Sequence, residues 1–164
     1  TLTNWRDLDY LIVDMPPGTG DIQLTLSQSS PLTGAVVVTT PQDIALIDAK
    51  KGLKMFEKVN VPLLGIVENM SVFICPCCGE VTHIFGEGGA KRMSEQYGVP
   101  MLGELPLSPA IREAADSGRP TVAAEPESAA AKMYRAIAMK IAGSIAKLGK
   151  DYTARMPTIS VKND

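Results

Sequence analysis

Apolar residues in this chain gather into short, nearly unbroken runs, separated by stretches of helical periodicity and closed by polar or turn-forming residues. Tyr10 to Val13, Ala35 to Val38 and Leu63 to Val67 are such runs, rich in β-branched side chains. Continuous rather than alternating apolar runs predict strands buried on both faces of a parallel sheet. Between the first two, Ile22, Leu24 and Leu26 open a short amphipathic segment that Ser29, Ser30 and Pro31 close. From Gln42 to about Val59, Ile44, Ile47, Leu53 and Phe56 mix with Lys50, Lys51, Lys54 and Lys58, which predicts a helix covering one sheet face. Strand, helix, strand at this spacing implies parallel neighbours joined by right-handed crossovers.

The pattern breaks at Phe73 to Phe85, where a cysteine-bearing segment reads as a small hairpin rather than another crossover. Gly88 and Gly89 then precede a helix through Tyr97, and Met101 to Leu105 gives a short fourth strand. A helix from Pro109 to about Asp116 is ended by Gly118, Arg119 and Pro120, and Ser128 to Lys147 is a long alanine-rich amphipathic helix. Residues 1–148 read as one domain, and 149–164 as a polar tail expected to be poorly ordered. Met55, Met70, Met93, Met133 and Met139 read as core filling.

The first run stops at an acid and becomes the turn DMPPGTGD, which predicts Asp14 at a strand's carboxyl end. Ligands of open α/β sheets bind at that end, so a carboxylate there suits a magnesium ion and a nucleotide phosphate. Pro16 and Pro17 stiffen the turn, Gly18 and Gly20 allow the backbone to approach an anion, and Asp21 is placed to cap the next helix. An acid that merely ends a strand would look the same. Asn69, after the third strand, could read adenine with its amide or simply cap the strand end. Asp43 and Asp48 read as helix-dipole and surface residues.

Composition narrows the chemistry. At 164 residues, 45% apolar, 21% charged and a net charge of −2, the chain has no general attraction to nucleic acid. No apolar run approaches a membrane span and the N-terminus has no apolar signal core, so a cytoplasmic location is expected. Three cysteines, Cys75, Cys77 and Cys78, cannot staple a fold and point to metal or redox chemistry. Cys75 and Cys78 form a CxxC pair with Gly79 supplying the turn, a spacing shared by redox pairs, half zinc sites and iron–sulfur ligands. Tetrahedral sites need four donors, so one pair is completed either by a second copy or by Cys77 and His83 in a one-chain zinc site. A thioredoxin-like role fits less well, because such a pair normally begins a helix.

Taken together, DMPPGTGD resembles the Walker B and switch segment of the Mrp/ApbC family, ATP-binding iron–sulfur cluster carriers in the ParA/MinD group of deviant P-loop ATPases. The segment TTPQD after the second run, and ENMSVFICPCCGE followed by IFGEGG, are similar to theirs; the resemblance runs from Leu8 to about Lys147 and covers the C-terminal part of a family member. It implies an α/β fold, an incomplete P-loop NTPase-like parallel sheet with flanking helices and a cysteine hairpin. It also implies that Asp14 is catalytic and positions magnesium, that Gly18 senses the terminal phosphate through its backbone, and that Asn69 contacts the base. Cys75 and Cys78 would be the metal ligands, holding a cluster (4Fe-4S favoured over 2Fe-2S) across a homodimer for transfer to apoproteins, with neither nucleic acid nor membrane as partner. ATP and Mg2+ would serve the intact protein. Cys77 lies outside the family's pair.

No GxxxxGK[ST] loop is present. In the family that loop lies N-terminal to the matching region, so the chain is expected to be a fragment without ATPase activity of its own. The strand bearing that loop lies, in such folds, between the acid-bearing strand and the next. Runs at Tyr10 and Val36 are therefore expected to pair directly or borrow a strand, since a plain gap leaves buried backbone groups unpaired. Two rivals are a ParA/MinD-like positioning ATPase, disfavoured by the cysteine pair and by the lack of a basic or amphipathic terminal helix, and a zinc-stabilised interaction domain.

Overall fold

A computed structural model describes residues 5–16, 18 and 20–148; the expected tail at 149–164 lies outside them, as do Pro17 and Thr19. In chain order the elements are α1 (Asp21–Ser29), β1 (Ala35–Thr39), α2 (Asp43–Lys58), β2 (Leu63–Glu68), the short β3 (Phe73–Ile74) and β4 (Val81–Thr82), α3 (Gly89–Tyr97), β5 (Met101–Glu104), α4 (Pro109–Asp116), the single turn α5 (Thr121–Ala124) and α6 (Ala129–Lys147). The main sheet is parallel with order β1-β2-β5, and β3 pairs with β4 in a separate antiparallel ribbon.

Period-two alternation explains the layers. Val37 and Ile66 turn to one face and pack with Leu46, Ala49 and Leu53 of α2 and Ala90 and Met93 of α3. Val67 and Leu102 turn to the other, against Ile137 of α6, with Val36, Tyr134 and Ile141 alongside. Leu53 and Ile66 are wholly buried, so truncating either to alanine is expected to cost about 2–5 kcal/mol. A third cluster, Met55, Phe56 and Val61, takes in Met15 and Leu24 and so ties α1 and the turn before it to the end of α2.

Several expectations need correction. Tyr10 to Val13 form no strand: the run is irregular and exposed, with Ile12 81% accessible. The run neither pairs with β1 nor occupies a buried gap, because no described strand offers it a ladder and an unpaired backbone satisfies itself in water. On α2 the inward face is Leu46, Ala49, Leu53, Met55 and Phe56, while Ile44 (76%) and Ile47 (51%) point outward. Met55 and Met93 are core residues, but Met133 and Met139 are exposed and Met70 is half-buried in a left-handed turn. Asp21 is the first helical residue of α1 rather than its cap; Gly20 holds that position without a side-chain bond. Asp43 does lie in the first turn of α2, and Asp48 pairs with Lys51 at the surface.

Candidate functional site

Parallel strands deliver their carboxyl ends to one edge, and the sequence's polar stops gather there. Thr39 of β1 stands opposite Glu68 of β2, which in turn stands opposite Glu104 of β5. Just beyond, the Asn69 amide N–H donates to the Thr39 carbonyl at 2.7 Å, and Asn69 Oδ1 accepts from the Met70 N–H at 2.9 Å. The Asn69 side chain thus carries a local capping bond at the carboxyl edge of the sheet. Thr40 and Gln42 are joined side chain to side chain in the β1–α2 turn.

Asp14 is exposed and sits not at a strand end but in the irregular segment leading into α1. Gly18 follows with φ +101°, and Gly20, at the N-cap of α1, brings no side-chain cap of its own. Gln23 Nε2 donates to the Pro16 carbonyl at 2.8 Å and pins the turn from within the helix.

The cysteines occupy the tip of the β3–β4 hairpin, whose two rungs are Phe73 with Thr82 and Ile74 with Val81. The turn is closed by Cys75 N–H to the Glu80 carbonyl (2.9 Å) and Gly79 N–H to the Cys75 carbonyl (2.8 Å). Gly79 holds φ +75°, the left-handed conformation that reverses the chain. Inside this turn the backbone N–H groups of Cys78 and then Cys77 donate to the Cys75 sulfur, with smaller contributions from their thiols, and hold the Cys75 thiol below its ordinary range against a small opposing effect of burial. All three cysteines are unpaired thiols, Cys77 and Cys78 exposed. His83 does not join them: its Nδ1 lies 3.3 Å from the Ser71 carbonyl oxygen and its Nε2 4.0 Å from Glu87. Among the described residues no three His, Cys, Asp or Glu side chains are gathered to hold one metal ion.

Both roots of the hairpin are fastened to the carboxyl edge. On the incoming side, Ser71 donates to the Leu105 carbonyl through both its N–H (3.0 Å) and its hydroxyl (3.1 Å), and the Leu107 N–H donates to Val72. On the outgoing side, Glu68, only 2% exposed, accepts the Ala90 N–H at 2.7 Å through Oε2. Gly89 lies so close that a Cβ there would meet the Pro41 carbonyl at 2.9 Å and Leu46 at 2.7 Å. From the sequence Glu68 reads only as a polar strand end, because the N–H it reaches belongs to a residue beyond the hairpin.

Residues 1–142 match the family model described as "ParA: NUBPL iron-transfer P-loop NTPase". An iron-sulfur cluster carrier protein of Escherichia coli (strain K12) is 62% identical over 143 residues, 87% of this chain and 39% of the relative. The iron-sulfur cluster transfer protein NUBPL of Mus musculus is 56% identical over 138 residues, 84% of this chain and 43% of the relative. The chain therefore spans less than half the length of these relatives. Among solved structures it is similar to a nucleotide-binding protein from Archaeoglobus fulgidus in complex with ADP (TM-score 0.64, 41% identity, 74% of this chain and 49% of that one). A Pyrococcus furiosus cell division ATPase MinD is also similar (TM-score 0.54, 31% identity, 68% of this chain and 43% of that one). A parallel sheet with flanking helices, a cysteine turn on its carboxyl side and a match over residues 1–142 agree: the chain belongs to the ParA family of NUBPL-type iron-transfer P-loop NTPases.

Proposed function

We propose that this chain is the cluster-bearing portion of an iron–sulfur cluster carrier, in which two copies hold one cluster between their Cys75 and Cys78 pairs and pass it to apoproteins. The observation that carries the reading is the cysteine turn. It presents soft donors at a protruding tip, one of them already inclined to the thiolate by backbone N–H groups, and soft thiolates suit iron–sulfur clusters. Each chain supplies a pair where a cluster takes four, so a homodimer completes the set, and a 4Fe-4S cluster is the cargo we favour. Free thiols suit a reducing compartment, and the cytoplasm is the location we favour. Among the described residues no helix is long and apolar enough to cross a membrane.

In the longer protein, Asp14 would position Mg2+, Gly18 would face the terminal phosphate of ATP through its backbone, and Asn69 would contact the base. The exposed Asp14 carboxylate and the glycine turn at Gly18 fit a magnesium nucleotide, which supplies phosphoryl-transfer energy when bound. Hydrolysis would act as a switch that changes how the two copies present the cluster.

Anaerobic reconstitution with iron and sulfide, followed by visible absorption, iron analysis and sizing, tests the proposal. One cluster per pair of chains is expected, retained in Cys77→Ser and lost in Cys75→Ser or Cys78→Ser. A colourless monomer, or bound zinc with no cluster formed, would overturn it.

A further inference from the structure

We propose that Glu68 is a positioning residue for the cysteine turn: its carboxylate pins the chain leaving the hairpin onto the carboxyl edge of the sheet and so fixes how Cys75 and Cys78 present their sulfurs. The consequence for cargo rests on the carrier reading above, whereas the pinning itself does not.

A two-rung hairpin has little stability of its own, so the orientation of its tip comes from its roots. One root is held by backbone and hydroxyl bonds between Ser71, Val72, Leu105 and Leu107. The other is supported by the close seat of Gly89 on Pro41 and by His83 Nδ1 at 3.3 Å from the Ser71 carbonyl oxygen, and Glu68 adds the bond that ties the chain beyond to the sheet. A carboxylate that is 2% exposed is costly to bury without a donor, and here the donor is an N–H in the first turn of α3, where the helix dipole favours negative charge. Ending β2 requires no acid, since its backbone is already paired to Thr39 on one side and to Leu105 on the other. The carboxylate therefore serves the segment it reaches, residues 86–90, which returns from the cysteines. Thr39 lies opposite Glu68 in the ladder, and the Pro41 carbonyl leaves no room for a Cβ at Gly89. The end of β1, the end of β2 and the segment leaving the hairpin thus meet at one place.

The test uses amide hydrogen exchange at Cys75 and Gly79, whose N–H groups close the turn, and at Leu102 in β5 as an internal reference. Glu68→Asp keeps the charge but withdraws the acceptor by one methylene, and Glu68→Gln keeps an acceptor at the original reach. Loss of the bond to the Ala90 N–H predicts exchange at the turn about tenfold faster in Glu68→Asp, with Leu102 unchanged and Glu68→Gln, whose amide oxygen keeps the acceptor in reach, nearer the parent. Glu68→Ala should match Glu68→Asp; should it fail to fold, the other two variants still decide. Equal exchange at the turn in Glu68→Asp and the parent would overturn the proposal, as would acceleration of the turn and Leu102 together. On reconstituted protein, Glu68→Asp should lose its cluster to a chelator about tenfold faster. If the parent takes up no cluster, the carrier reading falls while the exchange result still judges Glu68.

Discussion

Cys75 shows how much a single turn can do to a thiol. Two N–H groups aimed at its sulfur favour the charged form, so its folded pKa lies below that of the same residue in the unfolded chain. For an acid with a depressed pKa the resulting stabilisation is fully present above the unfolded pKa and is lost as pH falls through the folded one. Alkylation of Cys75 by iodoacetamide, followed residue by residue by mass spectrometry, should therefore persist to lower pH in the native chain than in urea. Superimposable profiles would show that the turn does not shape the thiol. Cys77 shares the turn and donates to the same sulfur, which gives it a place in holding Cys75 whether or not it ever touches a cluster.

At the scale of elements, the join between α3 and the sheet is tight enough to be probed by one atom. Gly89→Ala would drive a methyl group into the Pro41 carbonyl and Leu46, and overpacking of this kind costs about 1–3 kcal/mol. A lowered denaturant midpoint with an unchanged slope is the expected result, and an unaltered midpoint would mean that the seat is looser than it looks. The helices other than the single turn α5, and the strands β1, β2 and β5, were legible from the sequence because each carries its own signal, a helical period or a β-branched run. The hairpin was legible from Gly79 and the break in periodicity. Tyr10 to Val13 carries the same β-branched signal yet lies outside the sheet, because strand formation depends on a neighbour and not on the run alone. Glu68 was illegible for the related reason that its partner, Ala90, is distant in sequence and contributes only a backbone N–H.

Over the whole molecule, the main sheet has three strands among the described residues, and the outer surface carries many large apolar residues: Ile12 and Val13, Ile22 at 69%, Val38 at 61%, and Ile44 with Ile47. Exposed apolar surface on this scale favours association and lowers the return on folding. The isolated chain is expected to melt broadly at modest temperature and to bind an apolar dye before it melts. A sharp cooperative transition at high temperature would contradict this. Both sheet faces nevertheless have dedicated cores, so the loss should fall first on the segment before α1 and last on β2.

The hairpin's brevity bears on attempts to borrow it. With rungs too few to set its own shape, the loop takes its stiffness from a carbonyl on one side and a carboxylate on the other, both belonging to the parent sheet. Transplanted alone into another scaffold, the sulfur-bearing sequence would arrive without its anchorage, and its aptitude for cargo would stay behind.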